Sequence, residues 1–195
     1  MVSSAYLANN EIIDWQNPAV FAQAKQLAEG LDEPQKIAER CFEWVRDEIS
    51  HSWDAQQNPL TCSASEVLAY GTGYCYAKSH LLAALLRANN IPCGFCYQRL
   101  SLEENGAPYC LHGLNAVFLP EHGWYRVDAR GNKQGVDAQF TPPREQLAFG
   151  INETFESDLP EIWPAPLPVV VEVLQGRQDI EDAYQHLPDI ELLPR

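Results

Sequence analysis

Cys75, His112 and Asp128 are the residues in this chain whose types and order can support nucleophilic chemistry. Cys75 lies in Gly-Tyr-Cys-Tyr-Ala-Lys-Ser-His-Leu-Leu-Ala-Ala-Leu-Leu-Arg, where a glycine-bearing loop turns into an apolar helix. A helix start supplies unpaired N–H groups and the positive end of a dipole, so a thiol placed there is biased toward thiolate. His112 lies on the strand-like run 110–119, and Asp128 on the next, 124–129. A thiol, a base to take its proton and a carboxylate to orient the base are what acyl transfer through a covalent intermediate requires.

The strands decide whether the last two can meet. A five-residue connection pairs Phe118 with Trp124, sets Leu114 opposite Asp128 and leaves His112 diagonal to Asp128 on the same face. Diagonal neighbours sit roughly 7 to 8 Å apart, within reach of an imidazole and a carboxylate. A four-residue connection would turn Asp128 to the other face. Each residue also has an ordinary reading when taken alone: a buried cysteine, a satisfied core histidine, a turn-forming aspartate.

The elements that must hold these groups are legible along the chain. Asn17 and Pro18 open a helix that ends at Gly30, and Asp32 and Gln35 form a capping-box pattern before a second helix through Ile37, Cys41, Val45 and Ile49. Residues 51–61 read as a loop, and Ser63 and Glu66 cap a short helix that stops at Gly71. The helix from Cys75 to about Asn89 is apolar nearly all round, which predicts a buried central helix. Residues 91–100, 109–119 and 123–129 read as strands joined by the turns at 103–108 and 120–123. Residues 168–174 read as a further strand and 179–186 as a short terminal helix. Helices first and an antiparallel sheet second predict an α+β fold, with a nucleophile-bearing helix packed on the sheet.

With 195 residues the chain can bury roughly 70% of its unfolded surface, so a single domain over 1–195 is expected, its core at about 34–149 and a proline-rich extension at 150–195. The formal charge of −14 has no basic cluster to offset it and argues against nucleic acid and anionic membrane partners. No apolar run approaches the roughly 18 residues of a spanning helix, and no secretion signal opens the chain, so the expected setting is cytoplasmic and the six cysteines are expected reduced. Cys93, Cys96, Cys110 and His112 offer a zinc alternative, but residues three apart on a strand point to opposite faces. The expectation is therefore no metal and no cofactor. Trp53, Tyr74, Tyr76 and Trp124 either line an apolar groove beside Cys75 or fill the core, and both readings are open.

The run from Ser63 to Pro92, the later His112, and Gly-Trp-Tyr-Arg-Val-Asp ending at Asp128 resemble the transglutaminase-like core, in the form of its small bacterial members. The resemblance extends from Ile37 to about Phe149. It implies a papain-related fold, with Cys75 as nucleophile, His112 as base and Asp128 as orienter, acting on a peptide or protein amide through a thioester. A cross-linking transglutaminase or a non-catalytic peptide-binding module of the same fold are the alternatives it leaves. One departure stands out: a tryptophan that often follows the family histidine is replaced by Gly113 and Leu114.

Overall fold

The computed structural model describes residues 2–103 and 106–191. A 3-10 turn, Ser4–Leu7, leads into α1, Pro18–Ala28, whose first turn is closed by the Asn17 side chain accepting from the Ala19 N–H at 3.0 Å. The helix α2, Pro34–Glu48, buries Ala38, Cys41, Phe42 and Val45 on one face. Its start differs from the expected capping box, because Glu33 is the cap residue and makes no side-chain bond. Pro34 at the first helical position already fixes the backbone and removes one donor that a cap would have to satisfy. The expected loop at 51–61 begins instead with a two-residue strand, β1, Ser50–His51, and a single helical turn, α3, Ser52–Ala55. The capping box at the next helix is present: in α4, Ala64–Tyr70, Ser63 accepts from the Glu66 N–H and Glu66 accepts from the Ser63 N–H. Gly71, at φ 66°, then releases the chain into β2, Thr72–Gly73, which pairs in parallel with β1.

All of α5, Cys75–Ala88, is buried. Leu81, Leu82, Leu85 and Leu86 are sealed from water, each worth about 1.5 to 3 kcal/mol of burial. The polar residues on this helix are tolerated because backbone carbonyls receive them. Lys78 donates to the carbonyls of Arg46 and Ile49 at the end of α2, His80 Nδ1 meets the Cys62 carbonyl at 2.7 Å, and Arg87 spans the carbonyls of Ala8, Cys93 and Pro164.

The sheet beneath has the order β5-β4-β3-β6, all antiparallel: β3, Cys93–Glu103; β4, Gly106–Leu119; β5, Gly123–Val127; and the short β6, Ser157–Asp158. The turn joining β3 to β4 falls partly on Glu104 and Asn105, outside the described residues. Phe118 pairs with Trp124 and Asn115 with Val127, the register that places His112 and Asp128 on one face. Strand parity also separates the two nearest cysteines: Cys93 joins the core under α5, whereas Cys96 joins a cluster with Leu114 and Ala116 on the opposite face, so they do not form one metal site.

Residues 168–174 are helical, not extended: α6 runs Pro168–Gly176 and α7 Ile180–Gln185. Pro168 sits at the first helical position, and Val170, Val173 and Leu174 recur at the spacing of one helical face, which outweighs the strand preference of three consecutive valines. Among the described residues no helix is long and apolar enough to cross a membrane.

Gly113 explains how closely α5 meets the sheet. A Cβ at this position would lie 2.9 Å from Tyr76 Cδ1 and 3.2 Å from Tyr76 Cα. The Tyr76 ring cannot swing away, since it is buried and its hydroxyl donates to the Leu111 carbonyl. Glycine is therefore what lets the residue after Cys75 pack against the residue after His112. Gly113→Ala should push the helix start off β4, costing about 1 to 3 kcal/mol of stability. Turnover should fall roughly 10- to 100-fold through misplacement of the reacting groups. Thermal unfolding and a rate measurement on the same sample check both, and a variant with full activity would show that this close approach does not position the site.

Candidate active site

Cys75 is the first residue of α5, and the cap residue before it, Tyr74, makes no side-chain bond to the helix N–H groups. The leading N–H groups of the helix thus stay available to an anion beside the sulfur. His112 lines the same cleft as Cys75, and its Nε2 lies 2.7 Å from Asp128 Oδ2. With Nε2 donating to the carboxylate, Nδ1 is the nitrogen left to exchange a proton with the thiol.

Asp128 is fully buried and accepts from the N–H groups of Ala148 at 3.1 Å and Arg130 at 3.2 Å as well as from His112. Burial opposes its charge, but His112 and the two backbone donors outweigh burial and hold the carboxyl below its ordinary range. His112 shows the complementary effect. Burial alone would lower its pKa, yet Asp128 and the Cys75 sulfur together raise it to about 10, so the ring is an imidazolium at neutral pH.

Cys75 and His112 open onto a cleft of about 570 Å³ that Trp53, Tyr74 and Tyr76 also line, Tyr74 and Tyr76 being at the same time part of the buried core. Trp124 does not line it. Its ring packs on Phe118 and Tyr6 at the turn end of β5. Trp124 is on the same strand face as Asp128 but four residues away, roughly 13 Å along an extended chain. Sequence reasoning missed several other lining residues. Tyr184 and Leu187 come from the C-terminal segment, and Tyr184 stacks on Trp53 with centroids 3.7 Å apart and planes 2° from parallel. Phe149 presents an edge to the His112 ring at 4.9 Å, and Arg130, Lys133, Asp54 and His51 form the charged corner. Only Arg130 had a local signal, two residues beyond Asp128 on the same segment. A second hollow, of about 800 Å³, is lined by residues of 151–163 with Ile190 and Glu191 and contains none of the three reacting groups.

The remaining cysteines differ from Cys75 in position, since none of them begins a helix. Burial pushes the thiols of Cys41, Cys62, Cys93, Cys96 and Cys110 up to about 12. None of them has an imidazolium against it. At neutral pH iodoacetamide should therefore modify Cys75 first, because thiolates and not thiols are alkylated. Peptide mapping that found all six labelled equally in the folded protein would remove Cys75 from the role of nucleophile.

Comparison with known proteins bears on the family and the fold. No curated protein matches the sequence. Among solved structures, the chain is similar to a candidate cysteine protease from Cytophaga hutchinsonii, with a TM-score of 0.50 and 18% identity over 64% of this chain and 40% of that one. It is also similar to the periplasmic domain of TgpA from Pseudomonas aeruginosa, with a TM-score of 0.49 and 23% identity over 64% of this chain and 45% of that one. The chain thus spans less than half the length of either protein, and at such identities the likeness to the Cytophaga structure shows the fold alone. The sequence model described as the transglutaminase-like superfamily matches residues 22–129, more than half of the chain, which therefore belongs to that superfamily.

Proposed function

We propose that this protein is a cysteine-dependent acyl-transfer enzyme that hydrolyses amide bonds of peptide or protein substrates through a thioester on Cys75. The observation that carries the proposal is that Cys75, at a helix start, and His112 line one cleft, with His112 Nε2 held 2.7 Å from the buried Asp128 carboxylate. The sulfur attacks the carbonyl carbon, and the developing oxyanion is met by the Cys75 N–H at the helix start. His112 gives its proton to the leaving nitrogen as the carbon–nitrogen bond breaks. Water then attacks the thioester, its proton passing to Nδ1 of His112, and the sulfur departs. No step calls for a cofactor. The proposal includes a reducing, cytoplasmic setting, which would keep the Cys75 thiol available for attack.

An activated ester such as p-nitrophenyl acetate tests the proposal directly. Intact-mass analysis after brief mixing should show one acetyl group, mapped to Cys75 and released by hydroxylamine, with equal yield in EDTA because no metal takes part. An adduct on another residue, or turnover lost in EDTA and restored by added metal, would overturn it. Including a primary amine in excess over the thioester's lifetime separates hydrolysis from cross-linking, since only a transferase yields the amide product in preference to the free acid.

A further inference from the structure

The charged corner of the cleft has the composition of a carboxylate receptor. Arg130 is 8% exposed at the side chain, and its guanidinium spends one nitrogen on protein: Nη1 pairs with Asp54 Oδ2 at 2.7 Å and reaches the Gly131 carbonyl at 3.5 Å. Among the described residues neither Nε nor Nη2 makes a hydrogen bond to protein. Those two N–H groups form the edge that grips a carboxylate bidentately, and an arginine this enclosed gains most from a ligand that supplies the missing acceptors.

The local charge count favours an anion as well. Asp54 is shared, since its Oδ1 also pairs with Lys133 Nζ at 2.8 Å, so two cations face one carboxylate. His51, beside them with its Nδ1 3.7 Å from Asp54, is held neutral by burial and by Arg130, which push it down to about 3. The other carboxylate lining the cleft, Glu156, is tied to the β3 side, where its oxygens accept from the N–H groups of Ser101 and Asn152. A surplus positive corner in a chain of charge −14 is a local departure from the rest of the molecule.

Position indicates which part of a substrate would reach it. Arg130 and His112 both contact the Phe149 ring, at 5.5 Å and 4.9 Å from its centroid, and both bind Asp128, one through its backbone and one through its ring. In the proposed reaction His112 protonates the leaving nitrogen, so the leaving group lies on this side of the sulfur. An α-carboxylate is only two bonds beyond that nitrogen, about 2.5 Å away.

We infer that Arg130, assisted by Lys133, binds a free carboxylate on the leaving amine, making the favoured substrates acyl compounds whose amide nitrogen belongs to a terminal amino acid. The inference rests on the thioester reading of the site. The carbonyl–nitrogen bond breaks as the carbon–sulfur bond forms, the amine departs with a proton from His112, and water releases the acyl group as a second carboxylic acid. Arg130 touches the leaving group and not the reacting bond, so it acts as a specificity residue.

A matched pair of affinity labels tests this whatever acyl group the natural substrate carries. Bromoacetyl-glycine and bromoacetyl-glycinamide alkylate a thiol by the same displacement of bromide and differ only in the charge at the far end. On the wild-type protein the acid should label Cys75 roughly 10-fold faster than the amide, the effect of one charge-assisted bidentate pair. In Arg130→Gln the ratio of the two rates should fall to about 1, and in Arg130→Lys to an intermediate value, because the charge remains and the fork does not. The ratio corrects for any general loss of reactivity. Should Arg130→Gln fail to fold, Lys133→Gln alters a half-exposed side chain and should still lower the ratio roughly 2- to 3-fold. A wild-type ratio near 1, or a ratio unchanged in the variants, overturns the carboxylate site while leaving the nucleophile assignment standing. Labelling of Cys75 by neither reagent would overturn the thioester reading and the subsite together.

Discussion

Cys75→Ser should be folded and inactive. Oxygen replaces sulfur in a side chain that is 7% exposed, so the packing of α5 is nearly unchanged and the melting temperature should stay within a few degrees of wild type. Chemically the change is large. A serine hydroxyl does not ionise against the His112 imidazolium, and a histidine already protonated cannot serve as the base that a hydroxyl nucleophile needs. Turnover on any amide should drop by on the order of 10⁴ to 10⁶, the scale on which removing a nucleophile acts in triad enzymes. Cys75→Ala should lose as much, because the two variants share the absence of thiolate. Residual activity above a tenth of wild type in either would mean that the cleft works by another group. Retained binding of a peptide with no turnover is the expected behaviour of both.

The same residues show how much of this site the sequence carries. Cys75, His112 and Asp128 stand out because a helix start, a strand period of two and a short β4–β5 connection together fix where three side chains point, and the observed pairing of Phe118 with Trp124 is the one that brings His112 to Asp128. Local chemistry also makes the Asn17 and Ser63 caps legible. What is not legible depends on partners distant in sequence. The cleft wall made by Tyr184 exists because α7 returns to stack on Trp53, a contact between residues 131 positions apart that no window of sequence contains. Trp124 falls outside the cleft for a related reason: strand parity gives the face, but only the position along the strand gives the end. The helix α6 reads as a strand because three valines favour one, and the burial that reverses this preference comes from elements packed around Val170, Val173 and Leu174.

Asp128→Asn separates a working triad from a cysteine and histidine that happen to touch. The amide keeps the shape, and its oxygen in the place of Oδ2 still accepts from the His112 Nε2–H and the Ala148 N–H, while its NH2 faces the Arg130 N–H, which loses its acceptor; the fold should survive at a cost of about 1 to 3 kcal/mol. The charge is lost. Burial of His112 is opposed chiefly by that carboxylate, so its pKa must fall from about 10 when the carboxylate is removed. The protonated ring donates to the leaving amine, and activity therefore declines as pH rises through the His112 pKa. In the variant this alkaline limb should move to lower pH, whereas a merely structural Asp128 would leave it where it is. We expect turnover at neutral pH to fall roughly 10² to 10⁴-fold, less than or equal to the loss seen for the equivalent change in a serine triad, because a cysteine sulfur is a stronger nucleophile than a hydroxyl and needs less help from the base. Alkylation of Cys75 by iodoacetamide should slow in parallel, since less positive charge then stands beside the sulfur. An Asp128→Asn protein that melts normally, turns over at the wild-type rate and keeps its alkaline limb would reduce the site to a Cys75–His112 pair, with the carboxylate only anchoring the end of β5.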